Sequence, residues 1–265
     1  MLGGECLRTS VRTYKKIIVT NHVIEVYEYE KPPISGVIDS SDSYDPFDLE
    51  TTKLEIEPRE DRKNERRKQT VRDARNTTRR LALMNFNSGD KFITLTFKEN
   101  ITDINFADNE FKKFIKRFKH RFKLDSLKYI AVREFQKRGA IHYHMLCDWK
   151  ENLLFEDVIR EYERLLGEKI WKHGFVDIKQ LDYVDNVGAY IIKYMTKNVA
   201  IEFFKGKKIY LCSKGLERPL VFRDYEAQQI IDQYNLSEKK EVFTNSYESE
   251  YLGKIVYREY NLKRL

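Results

Sequence analysis

Apolar and polar residues alternate along four segments in the middle of the chain, and this alternation is typical of β-strands. The predicted strands are 92–97, 129–135, 140–149 and 175–178. Apolar residues at helical spacing predict helices over 106–123, 155–172 and 183–198. The order strand, helix, two-strand hairpin, helix, strand, helix predicts an α+β fold of the split βαβ type. In this fold, which ferredoxin-like proteins and RNA-recognition modules share, an antiparallel central sheet carries its helices on one face.

The two ends of the chain have a different pattern from its middle. Residues 14–30 predict a β-hairpin whose turn lies at Asn21 and His22. Residues 32–58 are rich in Pro, Ser and Asp and predict an acidic linker, whereas 59–86 predict a strongly basic helix. We therefore divide the chain into a hairpin with its linker (1–58), a basic helix with the α+β domain (59–200) and a mixed C-terminal extension (201–265).

The composition adds a preference for a polyanionic partner. The 265 residues include 49 Lys and Arg against 42 Asp and Glu, a net charge of +7, and basic side chains release counterions when they neutralise phosphates. The three cysteines form no CxxC pair, which favours a reducing compartment and argues against structural zinc. We expect a cytoplasmic protein without a membrane partner, because neither a secretion signal nor a membrane-length apolar stretch occurs. The absence of a GxxxxGK[ST] loop excludes a recognisable ATPase motor.

His142 and His144 are the most informative pair of residues in the sequence. Side chains alternate across a strand, so both imidazoles point to one face, about 7 Å apart along the strand. If the hairpin turns near 137–139, Glu134 on the preceding strand comes close to both histidines. Two imidazoles and one carboxylate with open positions form a catalytic metal site, although ordinary sheet histidines would also satisfy the pattern.

A second cluster lies on the last predicted helix. Tyr190, Lys193, Tyr194 and Lys197 follow helical spacing on a face separate from the apolar one. A phenol has a pKa of about 10 and needs activation before it can attack a phosphodiester. A neighbouring Lys can stabilise the phenolate and a metal can orient the phosphate, which would yield a covalent phosphotyrosine. The alternative is that these tyrosines only pack against the fold.

Several basic residues are candidates for contact with DNA phosphates. Arg66 and Arg67 lie in the basic helix, Lys137 and Arg138 lie on the hairpin turn, and Lys197 ends the tyrosine cluster. Such contacts would provide affinity and position rather than sequence readout. For the helix at 59–80, the alternative is a solvated face whose arginines pair with the acidic linker.

Taken together, the segments 92–97, 142–144 and 190–194 resemble the HUH endonucleases, and among them the rolling-circle replication initiators of phages and small plasmids. The resemblance covers about residues 75–200. It implies a sheet-centred nicking domain that depends on Mg²⁺ or Mn²⁺ and cleaves single-stranded DNA at an origin, leaving a 5′-phosphotyrosine and a free 3′-hydroxyl. It also implies that His142, His144 and Glu134 are metal ligands, that Tyr190 is the leading nucleophile beside Lys193, and that Tyr194 is the second tyrosine.

The resemblance further implies single-stranded and duplex origin DNA as partners, with a host helicase and polymerase, since no fused helicase is present. The oligomeric state is left open. Two alternatives remain at the level of sequence. One is a non-catalytic module that binds single-stranded DNA or RNA through sheet aromatics. The other is a transposase or relaxase with the same chemistry.

Overall fold

The computed structural model describes residues 14–32, 59–182, 184–195 and 208–264. The strands, numbered in chain order, are β1 Tyr14–Val19, β2 Val23–Tyr29, β3 Lys91–Phe97, β4 Tyr129–Phe135, β5 Ile141–Cys147, β6 Gly174–Gln180, β7 Tyr210–Cys212, β8 Leu220–Arg223, β9 Phe243–Ser249 and β10 Gly253–Asn261. The helices are α1 Arg59–Asn85, α2 Ile104–Phe122, α3 Glu156–Leu165, α4 Val187–Ile192 and α5 Asp224–Gln233. A π-helical turn, Leu166–Trp171, continues α3.

The described residues form two compact units, each with its own five-stranded antiparallel sheet. The terminal unit combines 14–32 with 220–264, and the central unit comprises the described residues of 59–219. The predicted α+β class is confirmed. Among the described residues, no helix is both long and apolar enough to span a bilayer.

The terminal unit contains the predicted hairpin of β1 and β2. Its strand order is β8-β1-β2-β10-β9, so the hairpin lies between strands from the C-terminal part of the chain. The sequence analysis did not predict this pairing. Apolar residues of β1, β2 and α5, including Ile17, Ile24 and Ile231, form its core. Apart from Pro32, the predicted linker 32–58 lies outside the described residues.

The central sheet has the strand order β6-β3-β5-β4-β7. All four strands predicted for this region are present, and β7 is an additional edge strand. On one face, which we call the core face, Ile141, Tyr143 and Met145 of β5 are fully buried. Helix α2 covers this face with an aromatic stripe, and Phe111 stacks on Tyr143 with ring centroids 4.6 Å apart.

The opposite face carries His142 and His144, and we call it the site face. Helix α4 lies here, since Tyr194, just after the helix, stacks on His144. Helix α1 packs closely on α4 at Gly188, where a Cβ atom would approach the carbonyl oxygen of Arg79 to 2.5 Å. The expectation that all helices lie on one face is therefore wrong for α4, because the 3.6-residue period defines an apolar stripe but not the surface that it covers.

The last predicted helix, 183–198, is shorter within the described residues. Helix α4 begins after Asn186, whose side chain accepts a hydrogen bond from the Ala189 amide at 2.8 Å. It ends at Ile192, and the amides of Tyr194 and Met195 then bond to carbonyls three residues back. These tighter bonds close the helix, so Tyr194 lies in a turn. Tyr183 and 196–198 lie outside the described residues.

Candidate metal and tyrosine site

The turn between β4 and β5 determines which residues face each other across this hairpin. The Gly139 amide donates to the Gln136 carbonyl at 2.7 Å, and Gly139 has φ +85°, a conformation that favours glycine. This turn places Glu134 directly opposite His142 in the antiparallel ladder. Side chains at paired positions share a face, so Glu134 projects to the same side as both histidines.

Glu134, His142 and His144 converge on one point. One potential ligand atom from each residue lies within 4.8 Å of the others, and Glu134 Oε2 is 2.6 Å from His144 Nε2. The Nε2 atom of His142 is buried and has no hydrogen-bond partner. A buried polar atom of this kind is costly unless a ligand satisfies it. The three residues therefore fit a divalent metal ion, with coordination positions left for a substrate.

The electrostatic environment keeps both imidazoles neutral. Burial lowers the pKa of His142 to about 4, and the nearby His144 lowers it further. Burial also lowers the pKa of His144, against the raising effect of its hydrogen bond to Glu134. A histidine must be neutral to bind a metal, so both residues are available as ligands at neutral pH.

Thr94 of β3 contacts the second nitrogen of His144. The two residues are directly paired in the sheet, and Thr94 Oγ1 lies 3.2 Å from His144 Nδ1. A hydroxyl can accept the Nδ1 proton and so leave the Nε2 lone pair directed towards Glu134. The sequence analysis did not single out this residue. Its indication in the sequence was the outward position of Thr94 in the predicted strand 92–97.

The tyrosines of the α4 region lie directly against this cluster. The Tyr194 ring stacks on the His144 imidazole with centroids 3.8 Å apart and an interplanar angle of 23°. The Tyr190 ring meets Phe92 of β3 edge-on, with centroids 4.8 Å apart. Burial raises the pKa of Tyr190, and its hydrogen bond with Tyr194 raises it further. Tyr190 therefore needs help from its surroundings to lose its proton at neutral pH.

Lys193 supplies a positive charge between the two phenols. Its Nζ atom lies 3.8 Å from the centroid of the Tyr190 ring and 4.9 Å from that of Tyr194. The ammonium opposes the other effects and lowers the pKa of Tyr190. The structure thus brings Tyr190, Lys193 and Tyr194 together beside the histidines, as the spacing predicted. Lys197 lies outside the described residues.

The other predicted DNA contacts lie at two places on the central unit. Arg66 is exposed and Arg67 half-buried on α1. Lys137 and Arg138 are exposed and line a surface pocket that also includes Glu134 and His142. The Arg138 guanidinium donates to the Phe97 carbonyl at 2.8 Å and to the Gln136 side chain at 2.9 Å. Arg138 therefore holds the hairpin turn to the end of β3, whereas Lys137 projects from it.

Comparison with known proteins connects this site to a family. Residues 90–199 match the family model described as Replication-associated protein ORF2. The matched segment contains the metal hairpin and the tyrosine helix, so this part of the chain belongs to a family of replication-associated proteins. The predicted resemblance to phage rolling-circle replication initiators is thereby confirmed. No curated protein and no solved structure matches the chain.

Proposed function

We propose that the protein is a rolling-circle replication initiator, which nicks single-stranded DNA at an origin through attack by a tyrosine next to a metal ion. One observation carries the proposal. The Tyr194 ring lies against the His144 imidazole, so that two phenols and an ammonium adjoin the Glu134, His142 and His144 cluster. The family match to residues 90–199 supports it.

The topology of the central sheet supports assignment to the HUH nicking domain. The strand order β6-β3-β5-β4, with α2 and α3 as crossovers on the core face, agrees with the split βαβ arrangement. On this assignment the metal-binding strand β5 lies in the middle of the sheet. Its two neighbours, β4 and β3, supply Glu134 and Thr94.

The chemistry follows from the groups at the site. A Mn²⁺ or Mg²⁺ ion held by Glu134, His142 and His144 would polarise a non-bridging oxygen of the scissile phosphate. Tyr190 is the leading nucleophile: its phenolic oxygen bonds to phosphorus as it loses its proton. The bond from phosphorus to the 3′-oxygen breaks, and that oxygen takes up a proton to become a free hydroxyl. Lys193 stabilises the phenolate, and Tyr194 serves as the second tyrosine in rejoining.

The ligand set also bears on the choice of ion. Imidazole nitrogens suit Mn²⁺ better than Mg²⁺, which prefers oxygen ligands. We therefore expect stronger nicking with Mn²⁺ at equal low concentrations. Unwinding and synthesis would be carried out by a host helicase and polymerase acting at duplex origin DNA.

The test is the formation of a covalent protein–DNA adduct. The purified chain is mixed with labelled single-stranded DNA from the neighbourhood of its own gene, with Mn²⁺ or with chelator, and resolved on a denaturing gel. We expect a metal-dependent adduct that is lost in the His142→Ala/His144→Ala variant and reduced most by Tyr190→Phe. His120→Ala is the matched control, because His120 is exposed on α2.

Three outcomes would contradict parts of the proposal. An adduct that forms in chelator would remove the metal from the mechanism. Tight metal-independent binding without any adduct would identify a binding module instead of a nuclease. A larger loss with Tyr194→Phe than with Tyr190→Phe would exchange the roles of the two tyrosines.

A further inference from the structure

Strand β6 forms one edge of the central sheet and exposes three side chains on the site face. Val176 and Ile178 point into the core, whereas Phe175, Asp177 and Lys179 alternate with them and are exposed. We call these three residues the β6 shelf. Within the described residues, β6 pairs only with β3, so the shelf has no neighbouring strand on its outer side.

The register of the sheet places the shelf beside the metal cluster. Glu134 is paired with His142, His142 with Thr96, and Thr96 with Phe175. Paired residues of antiparallel strands point to the same face, so these four side chains form one row. Phe175 is two strands from His142, which corresponds to about 10 Å at the usual strand spacing.

Phe175 is an apolar residue at a position that the fold leaves to solvent. Its exposed fraction is 68%. The neighbouring positions of the same face on β3 are Thr94 and Thr96, so the ring has polar surroundings and no apolar cluster to join. An exposed ring on a sheet is a surface on which a nucleic-acid base can stack, and it accepts any base because every base has a π face.

The other end of the shelf carries positive charge towards the tyrosines. Lys179 is paired in the sheet with Phe92, whose ring contacts Tyr190. The Lys179 ammonium lowers the pKa of both His144 and Tyr190, so its charge acts on the site itself. Asp177 lies 3.7 Å from Lys179, and this ion pair reduces the repulsion that a lone carboxylate would exert on DNA.

We propose that the β6 shelf binds the single-stranded DNA next to the scissile phosphate, with one base stacked on Phe175 and a phosphate close to Lys179. This inference rests on the proposed function, since it takes the metal and tyrosine cluster as the position of the scissile phosphate. The shelf selects single strands because the bases of a duplex are stacked on one another and present no free face.

The test measures binding without cleavage. Full-length protein in chelator is titrated into a fluorescein-labelled oligodeoxythymidylate, and fluorescence anisotropy gives Kd. We expect Phe175→Ala to weaken binding about 5- to 150-fold, the range for loss of one stacked base. Phe155→Ala is the matched control, because Phe155 is 69% exposed but lies at the start of α3, which packs on the core face. It should leave Kd unchanged.

A second variant keeps an aromatic ring at the same position. Phe175→Trp should retain the affinity of the wild type, and the fluorescence of the new indole should be quenched as the oligonucleotide is added. Equal Kd values for Phe175→Ala and Phe155→Ala, or an indole that the oligonucleotide does not quench, would overturn the proposal.

The shelf and the proposed nicking activity can fail separately. Weakened binding by Phe175→Ala together with no adduct from the wild type would retain the shelf and reject the nuclease. Normal adduct formation by Phe175→Ala with unchanged Kd would reject the shelf and retain the nuclease.

Discussion

The two faces of the central sheet are built from the same strands but carry different side chains. On the core face, Tyr143 stacks on Phe111 and the rings of α2 exclude water. On the site face, the next residue along the strand, His144, contacts Glu134, Thr94 and Tyr194. Because adjacent residues of β5 point to opposite faces, one strand contributes to folding on one side and to chemistry on the other.

The energetic contributions of the two faces also differ. Each large side chain buried on the core face stabilises the fold by roughly 1.5–3 kcal/mol. On the site face, His142 keeps a buried nitrogen without a hydrogen-bond partner, which is unfavourable until a ligand satisfies it. The comparison therefore predicts that stability and activity can be changed independently by substitutions one residue apart.

The largest expected effect contrasts two neighbours on β5. Tyr143→Ala should lower the free energy of unfolding by about 3–5 kcal/mol, as for other large aromatic residues in a core. His142→Ala should change it by no more than about 1 kcal/mol, because the lost side chain has an unsatisfied nitrogen, yet it should abolish the adduct. Urea unfolding in chelator measures both values. An equal loss of stability in the two variants would show that the two faces are not separable.

A smaller effect is expected from the threonine beside His144. Thr94→Val should weaken Mn²⁺ binding about 10- to 100-fold, because the hydroxyl no longer orients the imidazole. Thr94→Ser should retain the affinity, and Thr96→Val, on the same face of the same strand, is the control. Isothermal titration with Mn²⁺ gives the three affinities. An unchanged affinity for Thr94→Val would mean that packing alone orients His144.

The two faces should also respond differently to acid. The folded protein lowers the pKa of His142 from about 6.5 to about 4, so its contribution is complete above the unfolded value and is lost as pH falls between the two. Between about pH 7.5 and about pH 5.5, this histidine alone should cost roughly 1 kcal/mol of unfolding free energy. His142→Gln should reduce that loss. An identical pH dependence in chelator for wild type and variant would assign the acid sensitivity to other groups.

The smallest effect concerns DNA contacts beyond the sheet. Helix α1 packs on α4 at the site face, and Arg66→Ala/Arg67→Ala should lower the slope of log affinity for duplex origin DNA against log salt by up to about 2. Lys112→Ala/Lys116→Ala on α2, which covers the core face, is the control and should leave the slope unchanged. Equal changes in the two variants would show that phosphate contacts do not distinguish the faces.

The metal hairpin could be predicted from sequence because local rules determine it. A two-residue period places His142 and His144 on one face, and a short turn ending at Gly139 leaves little freedom in the register. The structure accordingly pairs Glu134 with His142. The gathering of Tyr190, Lys193 and Tyr194 was likewise predictable, because residues three and four apart meet on a helix.

Other features depend on contacts between distant residues, which periodicity does not specify. The pattern shows that 92–97 is a strand, but it does not show that Thr94 pairs with His144 or Thr96 with Phe175. The same limit applies to the position of α4 and to β7 as an additional strand. Phe175 did leave an indication, since it is apolar at an outward position of its strand.

The pairing of β2 with β10 in the terminal unit has a consequence for the order of events during synthesis. Glu28 and Arg258, which form an ion pair across these strands, are 230 residues apart. At 5–20 residues per second, a ribosome needs roughly 10–45 s to make the intervening chain. During this interval the newly made β1–β2 hairpin has two open edges and little stability of its own, whereas every residue of the central unit is translated before β10. Chaperones that shield strand edges would therefore act first on the oldest part of the nascent protein.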